Sequence, residues 1–243
     1  MRVPRIYHPG PITLQSEIEL SRDAFQHLIK VLRLNVGDTI VLFNGDEQNY
    51  EATIASVEKK SAHFIATRSQ ANKSESPVNI HLAQVISRGD RMDFVLQKSV
   101  ELGVTEITPL FSERCGVKLN GDRLAKKQLQ WQKIVRSACE QCGRSVVPKV
   151  KPALQLSDFI EDAFAGLRLT LDPTAKKPLS SFQQADKGIQ LLIGPEGGFT
   201  DDEVSNAEQQ GFKPMRLGPR VLRTETAALS ALTAVQYQFG DLS

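Results

Sequence analysis

Cysteine is scarce: three in 243 residues, an odd number too small for a disulfide framework, which points to a reducing compartment. Cys139 and Cys142 make one C-x-x-C inside an expected helix, with no second pair and no histidine nearby. Zinc needs four ligands, so no metal site is expected. The four histidines, His8, His27, His63 and His81, are scattered and read as ordinary core or surface residues. No apolar run approaches the ~20 residues that cross a bilayer. No signal-peptide core follows Met1-Arg2-Val3-Pro4-Arg5, so a cytoplasmic protein without a membrane partner is expected. An excess of one charge is missing too: 30 basic and 28 acidic residues leave a net +2, so only a clustered patch could serve nucleic acid.

Several chemical signatures are also absent. The chain has no phosphate-loop lysine motif and no Gly-x-Gly-x-x-Gly dinucleotide fingerprint. It has no Gly-x-Ser-x-Gly hydrolase elbow.

What is present is a change of rhythm near residue 70. Upstream, an expected helix from Ser21 to Arg33 precedes short alternating runs at Thr39–Phe43, Tyr50–Ile54 and His63–Thr67, with an Asn44-Gly45-Asp46 turn between the first two. A small β-barrel or compact sheet with one helix is the reading. Ser69 to Pro77 is polar and ends in proline, as a linker does. Downstream, strands (Val78–Ile86, Ile107–Phe111, Leu167–Leu171, Ile189–Ile193, Met215–Leu217) alternate with helices (Arg91–Leu102, Arg123–Cys142, Ser157–Phe164, and Thr224–Phe239). A capping box at Thr200 and Glu203 opens another helix. This is the pattern of an α/β fold with a mostly parallel sheet.

Two downstream strands stop at glycine turns before a helix: Gly194-Pro195-Glu196-Gly197-Gly198, and Leu217-Gly218-Pro219-Arg220-Val221-Leu222-Arg223-Thr224-Glu225. A third strand stops sharply at Leu171-Asp172-Pro173. Open α/β sheets bind ligands beyond the carboxyl ends of their strands, and bare glycines let a ligand approach peptide groups closely. Taken alone, the residues leave two readings open, a ligand pocket or turns that merely reverse the chain. Likewise Arg220, Arg223 and Glu225 at the last helix's mouth suit catalysis or a local ion pair. Basic residues at Lys118, Arg123, Lys126, Lys127, Lys133 and Arg136 suit an RNA patch or a solvated helix face.

The ordered set of motifs resembles the SPOUT superfamily of methyltransferases, and within it the bacterial uracil-N3 methyltransferases of small-subunit (16S) ribosomal RNA. Besides the two glycine turns, the resemblance rests on Gln97-Lys98-Ser99-Val100-Glu101-Leu102-Gly103-Val104, Ser112-Glu113-Arg114-Cys115, Trp131-Gln132-Lys133-Ile134 and Glu140-Gln141-Cys142-Gly143-Arg144. Pro4-Arg5-Ile6-Tyr7 and Val31-Leu32-Arg33 extend it to the N-terminus.

That resemblance implies a PUA-like RNA-binding domain over residues 1–70, a linker at 71–77, and a SPOUT domain over 78–243 with a C-terminal trefoil knot. It implies a homodimer acting on ribosomal RNA or the small ribosomal subunit, with S-adenosylmethionine as cofactor. The cofactor walls would be Leu171 and Asp172; Ile193, Gly194, Glu196 and Gly197; and Leu217, Gly218, Leu222 and Arg223. Glu225 is the preferred base for the uracil N3 proton and Glu196 the second choice, with Arg223 stabilising charge on the uracil oxygens. Arg2, Arg5 and Arg33, then Arg114, Lys118 and Arg144, are the expected phosphate contacts. A ribose 2′-O methyltransferase, a non-catalytic RNA-binding assembly protein and an unrelated small-molecule enzyme are the alternatives.

Overall fold

A computed structural model describes residues 3–183 and 187–242. Arg2, an expected phosphate contact, lies outside the described residues. The chain divides into two units, Met1–Glu75 with Cys139–Val147, and Ser76–Ala138 with Pro148–Ser243.

The first unit is built on β1 (Arg5–Tyr7), β2 (Glu17–Glu19), β3 (Thr39–Phe43), β4 (Gln48–Val57) and β5 (Ala62–Ala71). Alternate residues point to one face, which buries Ile40 and Leu42, Tyr50, Ala52 and Ile54, and Ala62, Phe64 and Ala66. The strand order is β1-β3-β4-β5-β2, with β1 parallel to β3 and the other pairs antiparallel. Among the described residues no ladder joins β1 to β2, so the hydrogen bonding gives an open five-stranded sheet where a small barrel was an expectation.

The expected helix from Ser21 begins as α1 (Arg22–Phe25), capped by Ser21 Oγ, then widens into a π-helical segment, Gln26–Val31. Phe25 and Leu28 from these turns plug the sheet's apolar face. Strand β5 runs on through polar Ser69–Ala71 because those residues pair with Tyr50, Asn49 and Gln48 of β4.

The second unit holds β6 (Ile80–Val85), α2 (Arg91–Glu101), β7 (Glu106–Phe111), β8 (Lys149–Val150), β9 (Leu154–Gln155), α4 (Leu156–Glu161), β10 (Leu167–Leu171), β11 (Ile189–Ile193), α5 (Asp201–Gln209), β12 (Lys213–Met215) and α6 (Thr224–Phe239). Helix α3 (Gly121–Cys142) begins in this unit, and its residues from Cys139 onward are counted with the first. All strand pairs of the sheet are parallel, in the order β12-β10-β11-β6-β7-β8, with β9 also on β7. Strand β11 is buried at every position, the mark of a parallel strand covered on both faces.

One face packs on α4 and α5 through Ala83, Val85, Leu192, Phe159, Ala207 and Phe212. Helix α6 contacts β11, β6 and α2, burying the small-residue stripe of Ala228, Ala231, Leu232 and Val235. Close approach there is enforced at Gly103 after α2, where an added Cβ would collide with the Gln236 side chain of α6. No helix among the described residues is long and apolar enough to cross a membrane.

Candidate active site at the carboxyl edge of the parallel sheet

Strands β12, β10 and β11 are parallel neighbours, so the three turns that follow them leave the sheet at one edge. After β10, the Asp172 N–H donates to the Met215 carbonyl at 3.1 Å, tying this turn to the end of β12. The Asp172 carboxylate accepts from both the N–H and the hydroxyl of Thr174, each at 2.7 Å. That local turn fixes the direction in which the chain leaves the sheet.

After β11 the chain turns through Gly194 to Gly198. Gly198 has φ +69 and donates its N–H to the Pro195 carbonyl at 2.9 Å. Gly218, after β12, has φ +72. Both conformations favour glycine, and at both positions a Cβ would meet nothing within 4 Å, so peptide groups border open space. Leu217 and Leu222 are half-buried on this last turn, while Gly218, Arg220 and Val221 are exposed. The expected cofactor residues Leu171, Asp172, Ile193, Gly194, Glu196, Gly197, Leu217, Gly218, Leu222 and Arg223 therefore lie on three turns from three adjacent strand ends.

Thr224, buried as the first residue of α6, donates its hydroxyl to the Gly194 carbonyl at 2.7 Å and accepts from Gln84 Nε2 at 3.0 Å. The helix mouth is thereby pinned to the ends of β11 and β6. Arg223 is the exposed N-cap of α6 and makes no cap hydrogen bond through its side chain. Glu225 follows in the first helical turn, with its side chain 16% exposed.

The two expected acid–base candidates differ in surroundings. Glu196 Oε1 accepts from Arg91 Nη1 at 3.0 Å and from the Arg88 N–H at 3.4 Å. Burial pushes its carboxyl upward, but its own and the Arg88 backbone N–H groups, with Arg91, outweigh that and hold it below the usual carboxylate range. A carboxylate so well served by donors is a weak base. Glu225 Oε1 lies 3.9 Å from Arg91 Nε, and its Oε2 is buried with no hydrogen-bond partner. This oxygen remains able to accept a proton. Of the two carboxylates, Glu225 is the one that keeps a buried oxygen without a donor.

The expected phosphate contacts separate into two groups. Arg33, with φ +57, and Lys118 are exposed. Arg114 is exposed but donates Nη1 to the Gly197 and Phe199 carbonyls, both at 3.2 Å, and so braces the glycine turn. Arg5 is half-buried, donates to Asn49 Oδ1 at 2.9 Å and lies over the Phe43 ring at 5.0 Å. Arg144 is a correction: it is 4% exposed and closes on Glu75 Oε2 through Nε at 2.9 Å and Nη2 at 2.7 Å. That buried pairing removes it from the surface that phosphate could reach.

Sequence reading passed over Arg88, Arg91, Gln84 and Thr224. The signal existed: Ser87-Arg88-Gly89-Asp90-Arg91 is a third strand-to-helix turn through glycine, after β6. Cys139 is buried, donates to the Val146 carbonyl at 3.7 Å, and has its thiol pushed up to about 12 by burial. Among the described residues no group of three or more His, Cys, Asp or Glu side chains could hold a metal ion.

Comparison with known proteins adds to this geometry. An RNA methyltransferase domain family matches residues 74–236, and an RNA methyltransferase PUA domain family matches residues 20–66. The ribosomal RNA small subunit methyltransferase E of Buchnera aphidicola (subsp. Schizaphis graminum) is 38% identical over 243 residues, covering 100% of this chain and 99% of the relative. The chain belongs to the ribosomal RNA small subunit methyltransferase E family.

Another family member, from Bacillus subtilis, is 32% identical over 228 residues, 90% of this chain and 89% of its own. Among solved structures, the Neisseria gonorrhoeae family member bound to S-adenosyl methionine is 39% identical with a TM-score of 0.94, covering 100% of both chains. A Legionella pneumophila structure described as a methyltransferase with bound cofactor SAM is 45% identical, with a TM-score of 0.97 and 100% coverage of both chains. Both parts of the family's architecture, a PUA-like domain and an α/β methyltransferase domain with a parallel sheet, are present here.

Proposed function

We propose that this protein transfers a methyl group from S-adenosylmethionine to N3 of one uridine in small-subunit ribosomal RNA. Full-length similarity to proteins named for small-subunit ribosomal RNA methylation supports the substrate class. The observation that carries the chemistry is Glu225, whose Oε2 is buried without a partner at the mouth of α6, two residues beyond the second glycine-bearing turn.

The residues of the site fit the cofactor. Gly198 and Gly218 leave open space beside their backbones, and the three turns bring peptide groups from adjacent strand ends to one edge. Leu171 and Asp172, then Ile193, Gly194, Glu196 and Gly197, then Leu217, Gly218, Leu222 and Arg223 would hold it. When bound, the sulfonium supplies an electrophilic methyl carbon.

The chain's own residues do the rest. Glu225 Oε2 accepts the N3 proton and leaves the N3 electron pair free; the sulfonium would give up its methyl carbon to that pair, the electrons of the broken carbon–sulfur bond staying on sulfur. Arg223, exposed at the N-cap, supplies positive charge towards the uracil oxygens as the ring becomes anionic. Holding base and methyl donor in line converts an encounter into an oriented, effectively unimolecular step.

Exposed Arg33 and Lys118 are the phosphate contacts of this reading, with binding that weakens as salt rises. The order β12-β10-β11, with α6 then packing across β11 and β6 onto α2, supports a trefoil threading of the C-terminal segment. Phe94 on α2 and Tyr237 on α6, 45% and 67% exposed, support a homodimer in which a second copy covers them. Catalysis takes place in the cytosol.

Glu225→Gln tests the assignment. Turnover on small-subunit RNA falls by about a hundredfold or more, the usual loss of a general base, while S-adenosylmethionine affinity in calorimetry stays close to wild type. Near-normal turnover removes Glu225 from the role.

A further inference from the structure

The group that connects the two carboxylates belongs to none of the three turns after β10, β11 and β12. Arg91 is the first residue of α2, reached from β6 through Gly89, which has φ +60. Met92, Val95, Leu96 and Val100 are buried along α2, so packing fixes where the helix begins. Arg91 Nη1 lies 3.0 Å from Glu196 Oε1, while its Nε lies 3.9 Å from Glu225 Oε1. One guanidinium thus faces a carboxylate from the turn after β11 and another from the first turn of α6.

The two contacts are unequal, and the inequality is informative. The Glu196 contact has hydrogen-bond length, and the Arg88 N–H reinforces it. The Glu225 contact is longer, a charge interaction that steers the carboxylate without occupying its second oxygen. Oε2 is left buried with no partner, a costly arrangement unless a donor arrives to complete it. Of the charged groups around Glu225, Arg91 comes from α2, Glu196 from the turn after β11, and Arg223 from the N-cap of its own helix. The Thr224 hydroxyl is committed to Gly194 and Gln84.

We propose that Arg91 is a positioning residue for methyl transfer: anchored on Glu196, it holds the Glu225 carboxylate by Oε1 so that Oε2 is presented to the uracil N3–H. This rests on the reading of Glu225 as the base. The guanidinium suits the task because its planar fork offers separate N–H groups to two acceptors, whereas a lysine ammonium is a single point charge. Loss of Arg91 removes the group that holds Glu225 Oε1 from α2 and leaves the carboxylate free to turn away from the site.

Single-turnover methyl transfer tests this through a double-mutant cycle. Arg91→Met lowers the rate about tenfold in the otherwise wild-type protein, the size of coupling expected for contacting groups. S-adenosylhomocysteine affinity stays within about twofold of wild type, since the cofactor turns are intact. In the Glu225→Gln background the same substitution changes the residual rate by less than about twofold, because Arg91 acts through Glu225. Arg91→Lys restores only part of the rate, a point charge replacing the fork. Should Arg91→Met fail to fold, Arg91→Gln keeps a hydrogen bond to Glu196 without the charge, and the same cycle applies.

An Arg91→Met loss of equal size in both backgrounds, or a wild-type rate in the folded charge-removing variant, overturns the proposal. An active Glu225→Gln enzyme is a different failure, because it removes the base itself before Arg91 is changed.

Discussion

Thr224 donates its hydroxyl proton to the Gly194 carbonyl at 2.7 Å, and this bond joins the mouth of α6 to the glycine turn after β11. Gln84 Nε2 completes the arrangement from β6. Neither glycines nor a helix mouth alone makes a pocket; this link keeps them at a fixed separation.

Thr224→Val keeps the side chain's shape and deletes the donor. The Gly194 carbonyl then lacks its partner, which costs about 1–3 kcal/mol in urea unfolding. S-adenosylmethionine affinity weakens roughly tenfold in calorimetry, equivalent to ~1.4 kcal/mol, as the turn loosens. Thr224→Ser retains the hydroxyl and stays closer to wild type on both measurements.

Arg144 and Lys118 should separate cleanly. Arg144→Met strands the Glu75 carboxylate against the backbone N–H groups of Ser145 and Val146 without its main counter-charge. Breaking a buried pair on one side costs about 3–5 kcal/mol, read as a lower urea midpoint. Lys118→Ala leaves stability unchanged within about 0.5 kcal/mol. Its effect is on RNA: weaker binding and a salt dependence shallower by about one phosphate contact.

His81 sets an acid limit on stability. Arg168 Nε donates to Gln190 Oε1 at 2.9 Å, so the Gln190 amide NH2 faces His81 Nδ1 at 3.1 Å. The imidazole proton then sits on Nε2 and is donated to Thr108 Oγ1 at 2.8 Å. Burial lowers the His81 pKa below 6.5; Glu106 opposes this, while Lys151 and Arg168 add to it. The folded state therefore binds fewer protons than the unfolded one just below pH 6.5, and stability falls as pH drops towards the folded pKa. One proton gives at most about 1.4 kcal/mol per pH unit. His81→Gln, which cannot titrate, shows a shallower decline in urea unfolding between pH 7 and 5.

The capping box after the glycine turn is a smaller contributor. Thr200 Oγ1 accepts from the Glu203 N–H at 3.2 Å, and the Thr200 N–H donates back to Glu203 Oε2 at 2.9 Å. Thr200→Ala costs about 1 kcal/mol of stability, measured by thermal unfolding, and leaves Glu225-dependent turnover intact at low temperature.

The sequence made legible those elements whose signals are local. The bounds of β10, β11 and α6 follow from apolar runs closed by Asp172-Pro173, Gly194-Pro195 and Gly240. Strands β1, β2, β8 and β9 are two or three residues long, too short to show a period, and exist only through their ladders. The last strand lies at Lys213–Met215, two residues before its expected position, because pairing with Leu169–Leu171 of β10 decides the register. Widening of the first helix to π geometry carries no local signature.

Site residues divide in the same way. Glu225 and Glu196 are visible because glycine turns and a helix start frame them. Arg91 reads as an ordinary first-turn helix residue until Glu196, 105 residues away, comes within 3.0 Å. Arg144 belongs to the same class, since its partner Glu75 lies 69 residues upstream.

The most direct measurement is nucleoside mass spectrometry of small ribosomal subunits incubated with the pure protein and isotope-labelled S-adenosylmethionine. The account predicts one labelled 3-methyluridine per subunit, lost with Glu225→Gln. A label on ribose 2′-oxygen, or none on RNA while the cofactor binds, contradicts it.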